Sequence, residues 1–166
     1  MEYIIVPITE THLDDFHAAV DAVAREKKYL AFLEAPPLAE SRAFVRANIA
    51  AGDPQFVALV DGRVIGWSDI LRDRIRPIVA HSGTFGIGLL RDYRGQGIGR
   101  ALMARAIEAA WALGLTRIDL RVREANHSAI ALYESFGFVR EGLHRNAVRI
   151  DGVYENTLSM ALLRAE

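Results

Sequence analysis

The chain has 166 residues, 51% of them hydrophobic and 25% charged, proportions of a folded globular protein, and its length suits one compact domain spanning residues 1–166. Twenty Lys and Arg against 21 Asp and Glu leave a formal charge of -1, which excludes a global positive field that would draw nucleic acid or an anionic membrane. With no cysteine there is no disulfide, thiolate metal site or covalent catalysis through an enzyme thiol.

The start, Met1-Glu2-Tyr3-Ile4-Ile5-Val6-Pro7, lacks the basic and long apolar regions of a signal peptide. No stretch reaches the roughly 18 apolar residues of a membrane span, so a cytoplasmic location is expected. Tyr3 to Val6 reads as a short strand stopped by Pro7. Thr9 then caps a helical pattern with Leu13, Phe16, Val20 and Val23 on one face. A basic, aromatic stretch from Arg25 to Phe32 leads to the breaker Ala35-Pro36-Pro37. Leu38 to Ala50 follows as a second helix, with Phe44, Val45 and Ile49 as its apolar residues.

Gln55 to Val60 and Arg63 to Leu71 flank Asp61-Gly62, a pair that supplies the two positive φ values of a type I′ hairpin turn. Arg72 to Pro77 is a charged loop. His81 to Leu90 reads as a strand, Gly97 to Leu113 as a helix ended by Gly114, and Arg117 to Val122 as a strand with Ile118, Leu120 and Val122 alternating. A strand, helix, strand unit of this length implies a parallel pair. Asn126 caps a shorter helix through Tyr133, ended by Gly137. Phe138 to Ile150 and Val153 to Leu163 close the chain as a hairpin turned at Asp151-Gly152. The expected architecture is mixed α/β with a mostly antiparallel sheet.

The densest chemical signal lies between the strand at His81 to Leu90 and the helix from Gly97. Gly95, Gly97 and Gly99 alternate at a helix start, where exposed backbone N–H groups and the helix dipole suit a phosphate. A Rossmann fingerprint fails, because counting from Gly86 or Gly95 puts its last glycine at Arg91 or Arg100. A Walker A loop fails too, since Gly99 is followed by Arg100-Ala101 rather than Lys and Ser or Thr.

Arg94-x-x-Gly97-x-Gly99, set between strand and helix, resembles the acyl-CoA pyrophosphate loop of the GCN5-related N-acetyltransferase (GNAT) superfamily. The likeness extends to Asn126 through Tyr133 and to Phe136-Gly137-Phe138, which resemble the family's second acyl-CoA segment. It implies an α+β fold with a mixed, mostly antiparallel sheet of about seven strands, a splayed parallel pair and about four helices. It implies acetyl-CoA as co-substrate. No metal is indicated, since His12 and His17, five apart, point to different sides of a helix and His81, His127 and His144 show no ligand spacing. The cofactor-binding residues would be Leu89, Leu90, Arg94, Gly95, Gln96, Gly97, Ile98, Gly99, Arg100 and Asn126.

Direct acetyl transfer to an amine needs a neutral nitrogen, a polarised thioester carbonyl and a proton for the departing sulfur. The resemblance implies that the Leu89 N–H polarises the carbonyl. It also implies that Tyr133 protonates the sulfur, since a phenol with a reference pKa of about 10 keeps its proton at neutral pH. A core tyrosine is the alternative reading of Tyr133, and a plain helix cap that of Asn126. Family members often place a glutamate on the central strands as general base. Here the equivalent stretch, His81-Ser82-Gly83-Thr84-Phe85-Gly86, has no carboxylate. His81, Asp69, Glu124 and Glu155 are the candidates. An unperturbed imidazole titrates near neutrality, which makes a histidine attractive, but His81 also reads as a surface histidine.

The acceptor cleft is expected from Arg25 to Leu38, the Arg72 to Ser82 loop and the hairpin around Asn146 to Tyr154. Glu141 to Tyr154 resembles the ending of bacterial small-molecule members, including amino-acid N-acetyltransferases. A primary amine of a small molecule, an amino acid above all, is the expected acceptor. A protein N-terminus or lysine is the alternative, and a non-catalytic acyl-CoA sensor a second. Family members are often homodimers, and the apolar final hairpin offers an edge for pairing.

Overall fold

Helices with one apolar stripe need a sheet to cover, and this chain supplies two pairs of them, one for each sheet face. The computed structural model describes Met1–Glu166. Seven strands, β1 (Ile4–Pro7), β2 (Gln55–Val60), β3 (Arg63–Arg72), β4 (Ser82–Leu89), β5 (Arg117–Arg123), β6 (Val139–Ile150) and β7 (Val153–Leu163), form one sheet in the order β1-β2-β3-β4-β5-β7-β6. Every neighbouring pair is antiparallel except β4 and β5.

The helix α1 (Leu13–Ala24) buries Leu13, Phe16, Val20 and Val23, the face that its spacing predicts. With α2 (Leu38–Ala51) it covers one sheet face, where Val45, Val57, Val64 and Trp67 join the cluster. The helix α3 (Ile98–Ala112) buries Ile98, Leu102, Met103, Ala106, Ile107 and Ala110. Together with α4 (His127–Ser135) it seals the opposite face over Ile70, Phe85, Ile118 and Leu120.

Four local expectations are corrected. Thr9 does not open α1 directly: a single 3-10 turn, Glu10–His12, intervenes, and the Thr9 N–H donates to His12 Nδ1 at 3.0 Å. On α2, Val45 is buried but Phe44 and Ile49 face out, because Asn48 turns inward instead and donates to Gln55 Oε1 at 3.2 Å. The strand β4 starts at Ser82, leaving His81 exposed outside it while its carbonyl takes the N–H of Thr116 at 2.9 Å. The helix α4 runs two residues past Tyr133, to Ser135, before Gly137 turns the chain at φ 97°.

Candidate active site

The ladders around β4 open a wedge. Its antiparallel pairing with β3 continues from Gly83 to Leu89, but its parallel pairing with β5 holds only at Ser82–Arg117, Gly83–Ile118 and Thr84–Asp119. Beyond Thr84 the two strands part. Leu90 donates its N–H to Ile65 O at 2.8 Å, and N–H groups alternate in direction along a strand, so those of Leu89 and Ile87 turn away from β3 toward the gap. A cleft of about 500 Å³ occupies this gap.

The glycine loop lies at its mouth. Gly95 and Gly97 hold φ of 73° and 84°, values that side-chain-bearing residues rarely adopt. The first α3 bond runs from the Ala101 N–H to Gly97 O, leaving the N–H groups of Ile98, Gly99 and Arg100 without helical partners. These donors, aided by the dipole of the helix, form an anion cradle. Gly99 is different from the other two. A Cβ there would sit 3.9 Å from Leu132 and 4.0 Å from Ile87, so the protein itself does not require glycine, and the space freed opens into the cleft. The cradle, the unpaired strand edge and the cleft volume fit a pyrophosphate followed by a pantetheine arm.

Leu89, Arg94, Gly95, Gly97, Gly99, Arg100, Asn126 and Tyr133 all line the cleft. Leu90, Gln96 and Ile98 do not. The Leu90 N–H is consumed by Ile65, the Gln96 amide donates to Asp92 O at 3.2 Å, and the Ile98 side chain is buried in the core, leaving its backbone N–H as its contribution. Arg94 donates through Nε to Leu89 O at 2.9 Å and through Nη2 to Glu26 at 2.8 Å, and it stacks over the Tyr29 ring at 4.7 Å. Its guanidinium thus ties the loop to the segment after α1. Arg100 donates to Ser135 Oγ at 2.9 Å and stays exposed at the rim. The Asn126 side chain accepts the Ala129 N–H at 3.3 Å and so caps α4 while facing the cleft.

Tyr133 packs edge-on against Phe85 with ring centres 6.0 Å apart, and equally close to Phe138. No protein group hydrogen-bonds its hydroxyl. Burial pushes that phenol up to about 12, which keeps the proton in place across the physiological range.

Of the base candidates, Glu155 is ion-paired with Arg123 at 3.3 Å, and Glu124 accepts from Asn156 at 2.8 Å. Asp69 on β3 has neither a hydrogen bond nor an ion pair. It keeps some accessible surface, yet its surroundings are dry enough that burial, reinforced by the charge of Asp53, pushes its carboxyl up to about 7. The Arg72 to Ser82 loop supplies no cleft residue, contrary to expectation. Arg72 and Arg74 both clamp the buried Asp53 carboxylate at 2.6 Å, which draws the loop's start away.

Two arginines on β5 that the motif reading missed bear on the cleft, Arg121 by lining it and Arg123 by holding a segment that does. The alternation of Ile118, Leu120 and Val122 toward α3 puts Arg121 and Arg123 on the face covered by α1, which the period of two contains. Arg123 is buried and donates to the carbonyls of Lys27 at 2.7 Å and Leu30 at 2.9 Å, fixing the segment after α1 over the cleft. Lys27 Nζ in turn meets Asp151 at the β6–β7 turn, 3.0 Å away. Arg121 lines the cleft with no hydrogen bond or ion pair of its own.

A splayed parallel pair ending in an anion cradle at a helix start defines an acyl-CoA-dependent transferase. The chain belongs to the acetyltransferase (GNAT) family, whose model matches residues 16–138, and it is an N-acetyltransferase that draws its acetyl group from acetyl-CoA. It is 30% identical to the L-amino acid N-acetyltransferase AaaT of Escherichia coli over 166 residues, covering 99% of this chain and 100% of that one. Among solved structures, a GNAT-family acetyltransferase from Streptococcus pneumoniae superposes with a TM-score of 0.91 at 25% identity, over 98% of this chain and 100% of the other. The acetyltransferase yncA of Salmonella typhimurium, solved with acetyl-CoA, has the same fold with a TM-score of 0.93 at 17% identity, covering 100% and 96% of the two chains.

Proposed function

We propose that the acceptor is the α-amino group of a free amino acid or a similarly small carboxylate-bearing amine. The observation that carries this reading is an unpaired guanidinium at the exposed edge of the cleft. Arg121 lines the cleft with all its donors free, and a planar guanidinium is suited to grip a carboxylate through two hydrogen bonds. Two residues along β5, Arg123 holds the segment after α1, and Lys27 meets the β6–β7 turn, contacts that narrow the approach to the acceptor side and favour a small amine over a polypeptide. The full-length likeness to an L-amino acid N-acetyltransferase supports the same class.

In this reading the N–H groups of Gly97, Ile98, Gly99 and Arg100 hold the pyrophosphate, with the Arg100 side chain at the rim. Asn126 orients the pantetheine while capping α4. The free N–H of Leu89 takes the thioester carbonyl, and Tyr133 gives its proton to the sulfur as the carbon–sulfur bond breaks.

The test is a thiol-release panel of free L-amino acids, their carboxamides, polyamines and peptides with free N-termini. A free amino acid is expected to exceed its carboxamide by about tenfold or more in kcat/KM, the worth of a charged hydrogen bond. Arg121→Gln is expected to erase that preference. Peptides turning over faster than any free amino acid would overturn the reading.

A further inference from the structure

The strand β4 carries no carboxylate, yet the acceptor of an acetyltransferase arrives as an ammonium and must lose a proton before its nitrogen can attack. We propose that Asp69, reaching across from β3 through the gap left by Gly86, is the general base of this enzyme. The inference rests on the acetyl-transfer reading above and adds the residue that makes the amine reactive.

The register places it. Asp69 lies directly opposite Gly86, on the sheet face covered by α1 and α2, whereas the neighbouring pair Ile70–Phe85 points into the α3 side. A Cβ on Gly86 would stand 3.0 Å from Asp69 Oδ1, so the carboxylate leans into the space that any larger residue would fill. Gly86 itself lines the cleft. Phe85 meanwhile carries Tyr133 against its ring from the other side. Two consecutive residues of β4 thus mark one level of the wedge, with a phenol on the α4 side and a carboxylate on the α1 side. An amine approaching a thioester held farther along the parted strands, at the Leu89 N–H, passes between the carboxylate on one flank and the phenol on the other.

Asp69 is also unusual in being unengaged. The nearest alternative on that face, Asp119, accepts from the Thr84 hydroxyl at 3.0 Å and lies 3.9 Å from Arg117. No donor approaches Asp69. Across the β2–β3 ladder its partner is Gln55, which is buried, has its Oε1 taken by Asn48 and leaves Nε2 without any partner. In one row of the sheet, behind the cleft-lining Gly86, the two residues set an unpartnered donor next to an unpartnered acceptor, the two groups that a relaying water would bridge. The charged groups around Asp69 are Asp53, itself clamped by Arg72 and Arg74, and on the same face of β5 Asp119 and Arg121; α1 faces it with apolar residues and α2 with neutral Asn48. None of these cations pairs with Asp69: Arg72 and Arg74 are taken by Asp53, and Arg121 makes no ion pair with it. Burial first, and the charge of Asp53 second, push its carboxyl up to about 7, which suits a base working near neutrality.

The Asp69 carboxylate takes one proton from the ammonium, directly or through the water, and the freed nitrogen lone pair forms a bond to the thioester carbonyl carbon. As the carbon–sulfur bond breaks, the sulfur takes the Tyr133 proton. The nitrogen gives up its second proton, which restores the phenol, and Asp69 releases its own to solvent.

Asp69→Asn separates this role from a structural one. Against an amino acid at pH 7.5 the variant is expected to lose about hundredfold or more in kcat, with acetyl-CoA protecting it from heat as it protects the wild type. With O-methylhydroxylamine, which is uncharged at neutral pH and needs no base, variant and wild type are expected to agree within about threefold. The acidic limb of the wild-type pH profile, a rise in kcat/KM centred near 7, is expected to vanish in the variant. Gly86→Ala, which keeps the carboxylate but sets a methyl group against it in the gap, should reproduce the loss on amino acids. Equal losses on both nucleophiles, or an unchanged acidic limb, would overturn the assignment. A wild-type enzyme that transfers acetyl to no amine at all would instead remove the acetyl-transfer reading on which it rests.

Discussion

Replacing Tyr133 by Phe removes one oxygen and nothing else, which makes it a clean probe of the acid. The ring keeps its contacts with Phe85 and Phe138 at 6.0 Å, and the hydroxyl has no hydrogen bond in the protein to lose. Folding stability should therefore change by less than about 0.5 kcal/mol, a shift of about 2 °C or less for a chain of this size. Catalysis should respond far more. Burial holds the phenol near 12, so it is protonated at every practical pH, and the same dry surroundings penalise a thiolate forming beside it. A positioned acid contributes about a hundredfold or more, some 2.7 kcal/mol of barrier. Thiol-release kinetics are expected to show kcat reduced by that factor, with the KM for acetyl-CoA within about twofold of wild type. An acetyl thioester whose thiol is much more acidic leaves without help, so the deficit should shrink with such a donor. An unchanged kcat, or the same deficit with every leaving group, would refute the role. A fall of many degrees in Tm would refute the claim that the hydroxyl is unpartnered.

Two further outcomes follow from packing and charge. Gly88→Ala would place a Cβ 2.1 Å from the Trp67 ring, so the indole must move off its edge contact with Phe16; a loss of about 1–3 kcal/mol is expected in urea unfolding, and a variant as stable as wild type would contradict the packing. Asp69 has its carboxyl raised from 3.8 in the unfolded chain to about 7 in the fold, so between those values the native state binds the proton more tightly and stability declines as pH rises. Asp69→Asn should remove that decline and leave the protein more stable than wild type at pH 8, by roughly 2–4 kcal/mol after allowance for the solvent that reaches the side chain. A variant with the wild-type slope in a pH series of unfolding curves would count against the burial of that charge.

Much of this was legible in the chain because local rules and long-range packing agree. The apolar period of α1, the Asp-Gly turns and the glycines before α3 each mean one thing, and the sheet confirms the order they imply. Where the two disagree, the sequence misleads. Phe44 and Ile49 read as a buried stripe, but Asn48 found a better partner in Gln55 and rotated the helix face toward itself. Arg94 reads as a free phosphate ligand, yet Glu26 and Tyr29 claim it from far along the chain. The isolation of Asp69 is invisible in one dimension, because it depends on which residue of β4 happens to lie opposite.

Main-chain donors cannot be mutated away. An acetyl donor gripped by a parted pair of strands and the first turn of a helix leaves most neighbouring side chains free to drift, provided the turn keeps its positive φ values. A chain can then share only 17% of its residues with another and still superpose on it closely. The side chains released from donor recognition are those of β3, β5 and the covering segments, where a few substitutions can retune which amine is accepted. Innovation in such a scaffold is expected to concentrate on one side of the sheet, with the other side holding a constant supply of activated acetyl.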